Sequence, residues 1–121
     1  MANRRIFHVC RWDEWRAAEA AGIYAGSSQD RADGFIHFST GAQLSASVAK
    51  HRDGQTGLVL LTVDADRLGD ALKWEPARGG ALFPHLYGGL PLSAVIRTDD
   101  LPVDRDGGHA IPPWAGGDLD G

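Results

Sequence analysis

The hydrophobic pattern of residues 33–40, DGFIHFST, predicts a strand with one apolar face and one chemically active face. Because side chains alternate along a strand, Ile36 and Phe38 point to one side. Phe35, His37 and Ser39 point to the other. The first pair is typical of a protein core, and the second set is typical of a ligand site.

A second stretch, ALFPHLYGG, repeats this arrangement. In an extended chain Phe83, His85 and Tyr87 share one face, so an aromatic ring, an imidazole and a hydroxyl again lie side by side. Pro84 lacks the backbone donor of a central strand, which predicts an edge strand, a bulge or a strand start.

The remaining pattern predicts two principal helices and further strands. Apolar residues at helical spacing, with a glycine stop, predict a helix over residues 11–22, and a Thr40–Gln43 capping box predicts a second over 40–54. The continuously apolar residues 57–65 indicate a central strand covered on both faces. Shorter strands are predicted at 6–10, 72–75 and 91–99. The chain is therefore expected to be α+β with a mixed or mainly antiparallel sheet.

Residues 22–32 lie between the first helix and the DGFIHFST strand and are rich in Gly, Ser and Asp. This composition predicts a loop, either a plain connector or a lid that contacts a ligand. Tyr24 and Arg31 are its candidate ligand-binding residues.

Length and composition indicate one domain, since 121 residues with 43% hydrophobic content supply one core. We expect this domain at residues 1–98 and an acidic, Gly- and Pro-rich, poorly ordered tail at 99–121. The tail has six Asp and one Arg, a net charge of −5 against −4 for the whole chain. Residues 1–98 are therefore nearly balanced, at +1, and do not indicate a nucleic-acid partner. A small phosphate-bearing ligand is compatible with the basic residues near the start.

Targeting signals and disulfides are not expected. A single cysteine excludes an internal disulfide and a cysteine-based zinc cluster. The apolar run near the start is too short for a signal peptide, and no stretch approaches the roughly 20 apolar residues of a membrane span. These observations predict a cytoplasmic protein without membrane association, and they leave its oligomeric state open.

The two histidine stretches, together with Glu75, form the candidate site. Their donors, acceptors and flat apolar surfaces suit a pocket for a polar ligand that carries a ring. His37, Glu75 and His85 are the candidate catalytic residues, and Phe35, Ser39, Phe83 and Tyr87 join Tyr24 and Arg31 as candidate ligand-binding residues. The alternatives are two histidines satisfied inside the core, or a metal site of His37, His85 and Glu75, although their spacing is not typical of metal ligands. No Gly-x-Ser-x-Gly elbow accompanies Ser39.

The blocks DGFIHFST, LKWE and FPHLYG, together with Trp15, Ala18, Gly22 and Tyr24, resemble the bacterial domain of unknown function numbered 952. The resemblance covers about residues 5–98. That family is grouped with the ADP-ribosyltransferase-like fold, so the resemblance implies this fold and a cleft for NAD or a related ribose phosphate.

The resemblance also implies roles for individual residues. Many members of that superfamily end a strand in His-Gly-Ser, which assigns a ribose hydroxyl of NAD to His37 and the nicotinamide amide to Ser39, with Phe38 in place of the glycine. Tyr24 or Tyr87 would stack on the ring and Glu75 would supply the acid. The implied activity is ADP-ribosyl transfer or hydrolysis of NAD, with NAD as substrate. The alternatives are a non-catalytic module that binds a nucleotide or another small molecule, and a metal-dependent hydrolase.

Overall fold

The computed structural model describes residues 4–52, 54–103, 108–112 and 115. Within these residues the chain is α+β, as predicted. Its helices are α1 (Trp12–Ala21), α2 (Ser28–Asp33) and α3 (Gly41–His51). Its strands are β1 (Arg5–Arg11), β2 (Ile23–Tyr24), β3 (Ile36–His37), β4 (Leu58–Asp64), β5 (Leu72–Pro76), β6 (Leu82–Leu86), β7 (Leu90–Pro91) and β8 (Val95–Asp100). No helix in these ranges is long and apolar enough to cross a membrane.

The strands form small antiparallel sheets. One has the order β1-β4-β8, a second is the pair β2-β7, and a third has the order β3-β6-β5. Every residue of the central strand β4 is buried, which confirms the prediction from its continuous apolar sequence. A bridge between Phe7 and Ser39 joins β1 to the chain just beyond β3 and brings the first and third sheets together.

Pro84 lies in the middle of a central strand, so the edge strand, bulge or strand start predicted from its missing donor is wrong. β6 pairs with β3 on one side and with β5 on the other. The Pro84 carbonyl accepts the N–H of Phe38 at 3.0 Å, so the side of Pro84 that lacks a donor faces the chain just past β3. Only one half of the reciprocal hydrogen-bonded pair forms there, and β3 ends at His37.

The two predicted helices are present. α1 ends at Gly22, which adopts a left-handed conformation with φ of 86°. The predicted capping box of α3 forms, because Thr40 accepts the Gln43 N–H and Gln43 accepts the Thr40 N–H. α3 ends at His51, before the predicted stop at residues 53–54.

α2 is a third helix inside the segment predicted to be a loop. Ser27 and Asp30 form its capping box, and Gly34 ends it in a left-handed conformation. This short helix carries Asp30 and Asp33 to the start of β3.

The folded unit continues past residue 98, where the sequence predicted its end. β8 runs to Asp100, whose carboxylate accepts the Trp12 indole N–H at 2.9 Å. Leu101 and Ala115 are buried in a cluster with α3 and β4, against which Ile111 packs. The fold extends past residue 98 because these scattered apolar residues of the predicted tail cover one face of the first sheet. Residues 104–107, 113–114 and 116–121 of the predicted tail lie outside the described residues.

Candidate functional site

A cleft of about 960 Å³ runs from β3 and β6 across β1 to the end of α3. Its volume lies in the range that accommodates small-molecule ligands. His37 and His85 line it, and their ring centroids are 5.6 Å apart. The two histidines are paired in register on β3 and β6, so they lie together in a way that the sequence left open.

His37 is held by two carboxylates from α2. Its Nδ1–H donates to Asp30 Oδ1 at 2.5 Å, and its Nε2 lies 3.1 Å from Asp33 Oδ2. The Asp30 side chain is only 3% exposed, whereas His37 and Asp33 are 40% and 38% exposed. Asp30 therefore fixes the ring from inside the fold, and Asp33 meets it on the solvent side.

Asp30 is a buried carboxylate with several donors. Burial alone would raise its pKa, but the hydrogen bond from the His37 ring, the charge interaction with His8 and the N–H groups of Ser27 and His37 outweigh it. The net effect holds the pKa of Asp30 well below its usual range. Asp30 is consequently ionised at neutral pH and caps α2 while it orients His37.

A second imidazole–carboxylate pair lies on β5 and β6. His85 Nδ1–H donates to Glu75 Oε1 at 2.8 Å, and the Tyr87 hydroxyl donates to the same oxygen at 2.7 Å. These hydrogen bonds, first from Tyr87 and then from His85, lower the pKa of Glu75. Because Glu75 holds Nδ1, the other ring nitrogen of His85, Nε2, is the one suited to exchange a proton with a ligand.

Phe35 packs between these two pairs. Its ring stacks on His85 at 4.2 Å between centroids, and it lies 4.5 Å from His37 and 5.2 Å from Tyr87. Ile36, which alternates with Phe35 and His37, is buried in the core, as predicted. Four side chains from the two predicted rows thus form one continuous cluster, namely Phe35, His37, His85 and Tyr87.

His8 and Tyr24 support the site from within the core. His8 Nδ1–H donates to the His37 carbonyl at 2.6 Å, so Nε2 is the acceptor of the Tyr24 hydroxyl at 2.7 Å. Burial lowers the pKa of His8 and raises that of Tyr24. Burial likewise raises the pKa of Cys10, which is hydrogen-bonded to Tyr24, to about 12.

The predicted ligand-binding residues separate into those that reach the cleft and those that do not. Tyr24 is 2% exposed and belongs to the core, so it is not placed to stack on a ligand ring. Arg31 is exposed outside the cleft lining and donates to the Gly26 carbonyl at 3.3 Å. Phe83 and Ser39 line the cleft, but the Ser39 hydroxyl donates to Ser47 at 3.0 Å. Tyr87 and Glu75 lie outside the lining and adjoin it through Phe35 and His85.

Charged side chains line the rest of the cleft. The acidic members have internal partners, since Glu14 accepts the Arg11 N–H while Asp30 and Asp33 face His37. The basic members lie around the strand β1 and the end of α3, and they are Arg11, Lys50, His51 and Arg52. Arg11 also pairs with the exposed Asp13, and Arg52 donates to the Val9 carbonyl. Their remaining N–H groups and Lys50 still offer positive charge to an anionic group at this end of the cleft.

A shared metal centre has no support in the part of the chain that the structure describes. There, no three His, Cys, Asp or Glu side chains are placed to hold one ion. His37, His85 and Glu75 lie close together, but as two carboxylate-bound imidazoles around a phenyl ring rather than as a ligand set.

Sequence analysis missed His8, Asp30 and Asp33. The His8 signal was present, because IFHVC places a histidine in an apolar strand as FIHF does. Asp30 could be found through the S-x-x-D pattern of residues 27–30, which is a capping box. Asp33 gave no local signal, because its meaning depends on α2 and its contact with His37.

Comparisons with known proteins agree with this architecture. The crystal structure of protein CC0527 from Caulobacter crescentus is 50% identical, with a TM-score of 0.85 over 88% of this chain and 93% of that chain. A solution NMR structure of CC0527 is 49% identical, with a TM-score of 0.77 over 91% of this chain and 92% of that chain. A search of curated proteins returns no significant match. The family model described as "Protein of unknown function (DUF952)" matches residues 9–98, and the chain belongs to this family.

Proposed function

We propose that the cleft binds NAD or a related ribose phosphate, and that Glu75 and His85 assist cleavage of the bond between its ribose and its base. The observation that carries this proposal is the convergence of His37 and His85 on Phe35 in the lining of one cleft. Each imidazole is held by a carboxylate, Asp30 in the lining and Glu75 outside it. It combines hydrogen-bonding groups for a sugar with an aromatic surface for a flat ring.

The cleft offers a different surface to each part of such a ligand. Tyr87 lies outside the cleft lining, half exposed beside the lining residue Phe35, and provides a face for the base there. His37 is solvent-accessible and fixed by Asp30, which suits it to a ribose hydroxyl. Arg11 and Lys50 line the same cleft and provide positive charge for a diphosphate.

In this reaction the glycosidic C–N bond breaks, and its electron pair leaves with nicotinamide. Positive charge then develops on the ribose, which the ionised Glu75 stabilises because its hydrogen bonds keep it deprotonated. A water molecule, or an acceptor hydroxyl in a transfer reaction, adds to the ribose carbon. Its proton passes to His85 Nε2 and then to solvent.

A module that binds the same ligand without cleaving it is the second candidate. One observation favours it: Ser39, whose counterpart in the resembling superfamily holds the nicotinamide amide, is buried and donates to Ser47. A cleft with this serine turned to a neighbouring helix still binds ribose and phosphate, but it positions nicotinamide less strictly.

Thermal unfolding with and without NAD or ADP-ribose tests the binding proposal. We expect either ligand to raise Tm by several degrees at concentrations far above Kd, and we expect His37→Gln to abolish the shift. Asp70→Asn, an exposed change outside the cleft lining, is the control and should keep the wild-type shift. Absence of a shift with both ligands in the wild-type protein refutes the proposal.

Nicotinamide release separates the two candidates. We expect the wild-type protein to release nicotinamide from NAD and Glu75→Gln to slow release by about 100-fold, because the variant keeps the shape and loses the charge. A wild-type protein that binds NAD but releases no nicotinamide supports the binding module instead.

A further inference from the structure

We infer that Asp33 and His37 together form a hydroxyl subsite for the ribose that carries nicotinamide in NAD, which is the distal ribose of ADP-ribose. Asp33 is then a specificity-determining residue. This inference rests on the proposed function and assigns the sugar a position within the cleft. It begins with the His37 Nε2 atom, which lies 3.1 Å from Asp33 Oδ2 on the solvent side of the ring.

The position of Asp33 is not explained by helix stability. Asp33 is the last residue of α2, where the negative end of the helix dipole disfavours a carboxylate. The exposed Gln29 amide donates to both Asp33 oxygens at 3.1 Å and directs them toward His37. The carboxylate is therefore held at the cleft wall, within reach of a ligand.

The chemistry of the pair matches a hydroxyl group in either protonation state of His37. When Nε2 carries a proton, it donates a hydrogen bond to the oxygen of a ligand hydroxyl, and that hydroxyl donates to the Asp33 carboxylate. When Nε2 is unprotonated, two neighbouring hydroxyls donate separately to Nε2 and to Asp33. A ribose ring carries such a vicinal pair, whereas a phosphate at this position would be repelled by the carboxylate.

The rest of the cleft is consistent with this placement. Asp30 fixes the other nitrogen of His37, so Nε2 keeps one direction. The basic side chains lie toward β1 and the end of α3, where they accommodate the phosphates. Asp33 thus separates a sugar position from a phosphate position in the same cleft.

Calorimetric titration of ADP-ribose and ADP isolates this subsite, because the two ligands differ by the distal ribose. We expect the wild-type protein to bind ADP-ribose about 10-fold more tightly than ADP, since a hydrogen bond to a charged group is worth roughly one decade in affinity. Asp33→Asn should bring the ratio close to one with little change for ADP. Asp70→Asn, an exposed change outside the cleft lining, should keep the wild-type ratio.

Gln29→Ala gives a second route to the same result, because it keeps the Asp33 charge and removes the amide that directs it. It should lower the ratio less than Asp33→Asn does. An unchanged ratio in Asp33→Asn overturns the inference and leaves the proposed function intact. If Asp33→Asn binds ADP-ribose and ADP more tightly than the wild type by the same factor, the inference is also overturned, because Asp33 would then only repel phosphate. A wild-type protein that binds neither ligand refutes the proposed function, and the inference with it.

Discussion

The Asp30 carboxylate holds both the side chain and the backbone of His37. Its Oδ1 accepts the ring Nδ1–H at 2.5 Å and the backbone N–H at 3.0 Å, and its Oδ2 accepts the Ser27 N–H at 2.8 Å. One buried charge therefore links the start of α2 to the end of β3. Its loss should affect the stability of the fold and the geometry of the cleft together.

Asp30→Asn should lower the free energy of unfolding by about 3 kcal/mol, because it removes a buried charge that accepts several hydrogen bonds. Asp33→Asn is the matched control, since the exposed contact of Asp33 with the same histidine should contribute less than about 1 kcal/mol. Urea unfolding at pH 7 measures both. Equal losses in the two variants would show that Asp30 has no special role.

The alternation of residues 35–38 predicted that Phe35 and His37 face the cleft and that Ile36 and Phe38 are buried in the core. Phe38 is buried and also contributes to the cleft lining, which the alternation did not predict. A period of two holds beyond the two residues of β3 because the chain continues to a bridge between Ser39 and Phe7. On the other side Phe35 lies in a bend after Gly34. What the pattern could not supply was the partner of each side chain. The contacts from Asp30 to His37 and from Glu75 to His85 join separate segments, so they follow from the tertiary arrangement alone.

The central position of Pro84 marks another limit of local reasoning. Proline is excluded from a ladder only at positions where its own backbone nitrogen would have to donate to a neighbouring strand. Pro84 faces Phe38, just past the end of β3, and takes part there only through its carbonyl. Tyr24 was mistaken for a ligand contact for a similar reason. Its loop-like sequence context gave no sign that its hydroxyl would be buried against His8.

His8 should make the fold less stable in mild acid. Burial lowers its pKa in the folded state, more than the nearby Asp30 raises it, so the unfolded chain binds the proton more readily. The contribution of neutral His8 to the free energy of unfolding is fully present above about pH 6.5. It is lost as the pH falls below this value, at up to about 1.4 kcal/mol per pH unit.

Urea unfolding from pH 5 to pH 8 checks this prediction. His8→Gln should flatten the loss of stability between pH 7 and pH 5 relative to the wild type, whatever its effect on the absolute free energy of unfolding. His109→Gln is the control for removing a histidine elsewhere. The assignment to His8 is wrong if His8→Gln keeps the wild-type slope.

Tyr87→Phe should raise the pKa of Glu75. The Tyr87 hydroxyl donates to Glu75 Oε1 at 2.7 Å and is the leading cause of the lowered pKa, so its removal makes the ionised form less favourable. A carbon-13 NMR titration of the Glu75 carboxyl measures the change. The Asp99 carboxyl, which accepts from Arg97 on β8 of the first sheet, is the internal reference. An unmoved Glu75 titration would assign the lowered pKa to His85 instead.

Leu101→Ala should lower the free energy of unfolding by about 3 kcal/mol, because Leu101 is 1% exposed and packs against α3 and β4. Leu82→Ala is a matched control with the same change in size, and it should cost less than about 0.5 kcal/mol since Leu82 is 52% exposed. Urea unfolding of the full chain compares them. A large loss at Leu101 means that the segment after β8 is part of the cooperative fold. If the two variants lose the same small amount, that segment is not part of the cooperative fold and the stable unit ends near β8.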